Sequence, residues 1–325
     1  LGEGGFAEMA SIAREFNLHL VGSILERHQE GVSKAPGMIS RVPAKWIILP
    51  LLVAVVLVWT AAITVSDSRL HINVLDVGQG DSILVQKKNQ QILIDDGPDS
   101  LKLMEQLGDK LPFWDRSIEL VVLTHPDADH ITGLIEVLER YNVERVLTSG
   151  YEADTALYRE WRKLIDRKEV ERIIACAGQE VVMGENISLE VLLPLQSWEN
   201  VRFTDPNNNS VVLRLEYGKF SMLLAGDIEA EAEELLLRED VRLRSVILKA
   251  PHHGANTSTS PDFLRNVEPL FAAVSAGADN RFGHPAEDVM NRLGDTVGDD
   301  RLFVTTEDGT IHFITDGDKL CVETD

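Results

Sequence analysis

Residues 120–133 read LVVLTHPDADHITG. The opening run is short, apolar and rich in β-branched residues, the pattern of a buried strand, and an apolar-periodic helix begins just after His130. Between the two, His125, Asp127, Asp129 and His130 occupy one short loop. Imidazoles and carboxylates at that spacing can turn to one side of the loop and grip two neighbouring cations. Four such donors rarely gather by chance at a strand end, so the stretch predicts a metal site where a buried strand meets a helix.

Outward from this stretch the chain keeps the same alternation. Short β-rich runs (HINVLDV from His71, SILVQ, QILIDDG, RVLTS, SLEVLLP, SVVLRLEY, FSMLLAGD, SVILKAP) are separated by helical patterns near residues 100–111, 132–141, 153–167, 229–238, 261–266 and 286–293. Strand clusters followed by helices, twice over, predict an α/β fold of two packed sheets covered outside by helices. Gly78-Gln79-Gly80-Asp81 joins two of the strands, and its glycines allow backbone to come close to a site. Asp81 is therefore either a secondary site residue or part of a plain hairpin turn. Asp95, at the end of another strand, either orients a histidine ligand through a hydrogen bond or shapes a turn.

Taken in order, several segments carry a resemblance. They are Leu75-Asp76-Val77-Gly78-Gln79-Gly80-Asp81-Ser82, Leu93-Ile94-Asp95-Asp96-Gly97, the 125–130 loop, Asn207-Asn208-Asn209-Ser210, Leu224-Ala225-Gly226-Asp227, Lys249-Ala250-Pro251-His252-His253-Gly254 and Phe282-Gly283-His284-Pro285. Together they resemble the metallo-β-lactamase superfamily, whose loop motif is HxHxDH, and more closely the C-terminal domain of the ComEC competence proteins. The resemblance covers nearly all of residues 71–315. It implies a metallo-β-lactamase αββα sandwich, two packed mixed β-sheets covered by helices, with two divalent metal ions, zinc or manganese, magnesium being a further candidate.

Residue by residue, the resemblance implies His125, Asp127, Asp129, His130, Asp227 and His253 as metal ligands, and Asp129, His252, His284 and Asp81 as catalytic candidates. Asp227 resembles the family's bridging carboxylate, although alone it reads equally well as a helix N-cap. Of the pair His252-His253 one ring is the ligand, with His253 preferred, while the other meets substrate or braces the site. His284 would approach the substrate as a general acid, or else is a surface histidine. The hydroxyls and amides of residues 256–260 would hold phosphate oxygens, or form a polar loop with an N-cap at Ser260.

The chain departs from the family pattern twice. Asp127 stands where the motif has its second histidine, and the 207–210 segment stands where many relatives carry another. Oxygen donors in place of imidazoles shift preference from zinc toward manganese or magnesium. Asp127, Asp129 and Asp227 against two divalent ions leave roughly +1, a field that attracts an anionic diester. Two ions about 4 Å apart would activate a water and stabilise a leaving oxygen.

The chain has 325 residues, 44% hydrophobic and 26% charged, with a net charge of −22. That composition excludes wholesale disorder, and the charge repels polyanions unless metal or a local basic groove intervenes. Residues 1–65 hold five basic and five acidic residues, so the excess lies downstream. Cys176 and Cys321 show no zinc spacing and read as unpaired thiols, with one disulfide left open. Residues 46–65 (WIILPLLVAVVLVWTAAITV) carry no charge and are expected to span a membrane. Arg41 and Lys45 on the N-terminal flank place that end in the cytoplasm and the large domain outside. The expected organisation is a cytoplasmic amphipathic helix over residues 6–30 with a linker (1–45), a transmembrane helix (46–65) and an extracytoplasmic hydrolase domain (66–325). The chain opens on Leu1, which reads as either a piece of a polytopic protein or a single-pass relative.

Three functions fit. The first is a phosphodiester hydrolase, by resemblance a DNA nuclease linked to competence and DNA uptake, with components of an uptake channel as partners. The second keeps the metals but takes a small or envelope phosphodiester, which suits the acidic domain better than long DNA. The third is a non-catalytic metal- or DNA-binding module of a transport assembly, motivated by the missing histidines.

Overall fold

A computed structural model describes residues 45–64, 67–112, 114–195, 203–239, 241–278 and 280–325. The helix expected over residues 6–30 and its linker lie outside the described residues. The chain divides into two compact units, Leu1–Val65 and Ser66–Asp325. In the first, a helix runs Lys45–Thr64 with Pro50 inside it. The expectation of a membrane-spanning helix is corrected here: among the described residues no helix is long and apolar enough to cross a membrane. The fold is thus the αββα sandwich with, among the described residues, no membrane-spanning helix before it, and the single-span membrane contact expected from the sequence is not supported.

The second unit is built from β1 (Leu70–Val74), β2 (Ile83–Lys87), β3 (Gln90–Ile94), β4 (Ser117–Leu123), β5 (Asn142–Thr148), β6 (Glu171–Ile174), β7 (Glu180–Val182), β8 (Ile187–Leu193), β9 (Val212–Tyr217), β10 (Phe220–Leu224), β11 (Ile247–Lys249), β12 (Phe271–Val274), β13 (Leu302–Val304), β14 (Ile311–Thr315) and β15 (Leu320–Thr324). One sheet has the order β15-β14-β1-β2-β3-β4-β5-β6 and the other β13-β12-β11-β10-β9-β8-β7. Both are mixed, as expected: β3 to β6 run parallel, as do β10 to β13, and the remaining pairs are antiparallel.

Side-chain alternation explains the layering. In β4, Leu120 and Val122 face the other sheet while Val121 and Leu123 face the helices; in β10, Phe220, Met222 and Leu224 point inward and Leu223 outward. A strand buried on both faces must be apolar at both parities, which is why these runs are continuous rather than alternating. The outer face of the first sheet is covered by helices Ser100–Lys110, Ala128–Arg140 and Ala156–Lys168, and that of the second by Ala230–Arg238, Pro261–Val267 and Glu287–Val297. Asp99, Thr155 and Ser260 cap three of these helices, accepting from backbone N–H groups of the first turn. Cys176 and Cys321 are free thiols.

Candidate metal centre

The parallel strands β3, β4, β10, β11 and β12 deliver their carboxyl ends to one region, the usual place for a ligand in an open parallel arrangement. Thr124 and His125 follow β4 directly. The helix then starts at Ala128, earlier than its apolar period predicts, with Asp127 in extended conformation at the cap (φ −77°, ψ 155°). Asp129 and His130 therefore project from the first helical turn, while Asp127 stays outside it.

Three donor clusters form among the described residues: His125 with His130 and Asp227; Asp129 with His130 and His253; Asp81 with Asp227 and His253. Asp227 Oδ2 lies 3.3 Å from His130 Nε2, 3.1 Å from His253 Nε2 and 4.0 Å from His125 Nε2. His253 Nε2 is also 3.6 Å from Asp129. Each ring is fixed through its other nitrogen. Thr124 Oγ1 donates to Asp95 Oδ2 (2.6 Å), so its lone pair faces His125 Nδ1 at 3.0 Å. Ser210 Oγ, which donates to Asn207 O, lies 3.3 Å from the same nitrogen. Asp95 holds His130 Nδ1 at 2.8 Å, and Ser275 O with Asp81 Oδ1 holds His253 Nδ1 at 3.1 and 3.2 Å. Carbonyl, hydroxyl and carboxylate partners on Nδ1 are how proteins aim Nε2 at a metal.

The Nε2 atoms of His125, His130 and His253 and Asp227 Oδ1 are all buried without a hydrogen-bond partner. Their ion-pair distances lack hydrogen-bond geometry, and unmet buried polar atoms of this kind are costly. Nitrogen and carboxylate donors converging with free lone pairs fit a divalent cation.

Electrostatics agree. Burial and the charge on His130 press His125 down to about 3. Burial also opposes charge on His130 and His253, yet Asp227 together with Asp95 or Asp81 raises both well above the ordinary histidine value. Burial would raise Asp227, but His253 and His130 hold it well below the ordinary carboxylate value. Asp129 is likewise drawn down to about 2, His253 overcoming burial.

Asp81 is brought in by Gly80. With φ +120° and an added Cβ falling on the Asp129 carbonyl, only glycine fits there, so the hairpin passes directly beneath the metal loop. Asp81 is gripped by Lys249 Nζ at 2.7 and 2.8 Å, both groups fully buried. Lys249 lacked an assigned role in the sequence, although a lysine ending the apolar run SVILKAP must find a counter-charge.

His252 joins no cluster. It and His253 both adopt left-handed backbone (φ 50° and 53°), a strained turn braced by His252 N donating to Gly226 O. The two rings consequently diverge, and His252 Nδ1 meets Glu229 at 3.1 Å while Nε2 meets the Asn207 amide at 3.4 Å. Asp127, half-buried and raised by burial and by Asp129, also stays outside the clusters. The His284 ring stands 5.3 Å from that of His252, and burial with both neighbouring histidines lowers its basicity. Glu229 and Thr124 escaped the sequence reading, and Ser210 was quoted there with its segment but without a role of its own, because hydroxyls and glutamates are too common to stand out without a fold.

This fold and site define a metallo-hydrolase architecture. The chain belongs to the metallo-beta-lactamase superfamily, which it matches over residues 75–277. Among curated proteins it is 28% identical to ComE operon protein 3 of Bacillus subtilis, over 76% of this chain and 33% of that protein. It is 32% identical to Recombination protein 2 of Haemophilus influenzae (70% and 27%) and 30% identical to Competence protein ComA of Neisseria gonorrhoeae (70% and 30%). The chain thus spans about a third of the length of these relatives. The solved metallo-beta-lactamase fold protein YhfI from Bacillus subtilis shares the fold at TM-score 0.51 and 11% identity, covering 77% of this chain and all of that one.

Proposed function

We propose that residues 66–325 form a two-metal phosphodiesterase acting on DNA during uptake. The observation that carries this reading is the meeting of His125, His130, Asp227 and His253 with unsatisfied donor atoms, joined by Asp129, Asp227 being common to two of the clusters. Bound divalent ions would supply a nucleophile at neutral pH and charge stabilisation for a diester. The chain's own part is to hold Nε2 atoms in place through Thr124, Asp95 and Ser275, and to keep Asp81 charged through Lys249. The competence-related names of the curated relatives point the substrate toward DNA.

The test is cleavage of DNA and of a small diester in manganese or zinc, compared with Asp129→Ala. Turnover absent in the native chain, or equal in both proteins, overturns the reading. A small phosphodiester is the second reading, favoured by one observation: among the described residues the groove beside His252 carries Asp205, Glu229 and Glu231 and no basic residue. Preference for the small diester over polymeric DNA would select it.

A further inference from the structure

Beside the metal centre an exposed aromatic is held in place for no reason of packing. Phe282 is 55% exposed; a lone exposed ring is common on protein surfaces, and what distinguishes this one is how it is held beside the candidate ligands. It stacks on His284 at 5.8 Å with 23° between the planes, and the Arg281 guanidinium lies 5.0 Å from its centroid. His284 in turn meets His252 edge-on, and His252 meets His253. Three ring-to-ring steps therefore connect Phe282 to the candidate ligands.

The loop bearing Phe282 is braced. Asn280 Oδ1 accepts from the backbone N–H groups of Phe282 and His284 at 3.1 and 3.0 Å, and its amide donates to Gly277 O (2.7 Å) and His284 O. Gly277 N donates to Gln79 Oε1 at 3.1 Å, and Ala286 N to Gly254 O at 2.9 Å. The ring is thus tied to the hairpin below the metal loop and to the histidine turn, and little ordering is left for binding to require.

Charge fixes the direction of approach. On the other side of His252 the groove holds Asp205, Glu229 and Glu231, which repel phosphates. The Phe282 side offers Arg281. A rigid exposed aromatic with an adjacent guanidinium matches what an unpaired nucleobase and its phosphate require.

We infer that Phe282, supported by His284 and Arg281, is a stacking platform for an unpaired base of single-stranded DNA whose backbone runs to the metal centre. This deepens the phosphodiesterase reading and rests on it for the strand's destination. The stack needs an unpaired base, so the platform selects single strands and is indifferent to a small base-free diester.

The experiment measures binding by fluorescence anisotropy on the full chain, with calcium in place of a catalytic metal. The probes are an oligothymidylate and an abasic strand of equal length and charge. Phe282→Ala is expected to weaken oligothymidylate binding about tenfold, the order of one stacked base, and to leave the abasic strand unchanged. Phe282→Trp should retain affinity and show quenched emission with the oligothymidylate. Equal loss on both strands, or no loss on either, overturns the platform. Turnover in manganese is scored separately. Base-dependent binding without cleavage overturns the hydrolase and leaves the platform standing, whereas cleavage without base dependence does the reverse.

Discussion

At the residue scale the Lys249–Asp81 pair is the sharpest case. Both groups are fully buried, so removing one leaves the other uncompensated in a low-dielectric interior, which costs about 3–5 kcal/mol. Lys249→Met should lower the denaturation midpoint accordingly, and adding Asp81→Asn should recover much of the loss. Additive effects in a double-mutant cycle would show that the pair is not coupled. Gly80→Ala places a methyl on the Asp129 carbonyl. The expected outcome is a displaced metal loop, read as weakened metal binding in calorimetry with the far-ultraviolet dichroism unchanged.

At the scale of the element, helix Ala128–Arg140 joins packing to chemistry. Ile131, Leu134, Val137 and Leu138 seat it on the first sheet, while Asp129 and His130 leave its first turn. Leu134→Ala should cost about 2–5 kcal/mol and weaken metal binding as well; intact metal affinity in a destabilised variant would separate the two roles. Most elements were legible in the sequence because their apolar runs are continuous and end in Gly or Asp. Strands β6, β7 and β12 to β15 were not: β6 (ERII), β7 (EVV) and β15 (LCVET) are at most half-buried and impose little pattern, while β12 (FAAV), β13 (LFV) and β14 (IHFIT) are better buried but too short to stand out as apolar runs. The clustering of His125, His130, Asp227 and His253 could be anticipated from motifs, since His125, Asp227 and His253 follow buried strands and His130 opens the helix after one of them. The divergence of His252 and the exclusion of Asp127 could not, because both depend on backbone angles that no side-chain pattern encodes. The apolar run at 46–65 shows the opposite case: its uncharged composition predicts a span, yet among the described residues no helix is long and apolar enough to cross a membrane.

At the scale of the whole molecule the centre governs how stability follows pH. Without metal, His130 and His253 have folded values raised above the ordinary 6.5, so their contribution is full below that value and is lost as pH rises through the raised values. Asp227 is depressed below 3.8, so its contribution holds above that value and fades as pH falls through the lowered one. Metal-free protein should therefore weaken toward alkaline pH, and also as pH falls below 6.5, where His125, held down to about 3 in the fold, stays neutral while it charges in the unfolded chain. A divalent ion needs the nitrogens of His130 and His253 deprotonated, so its affinity should climb over the alkaline range where the metal-free protein weakens. Thermal melts with and without chelator across pH would check both slopes; parallel curves would contradict them.

The donors are also divided between the layers. His125, Asp129 and His130 hang from the first sheet, and Asp227 and His253 from the second. An ion caught between them would act as a rivet, and withdrawing it would free the two halves to breathe at that rim alone. Hydrogen–deuterium exchange should then quicken around residues 124–130 and 225–227 after chelation, while the amides of β6 and β7, on the outermost edges, keep their pace.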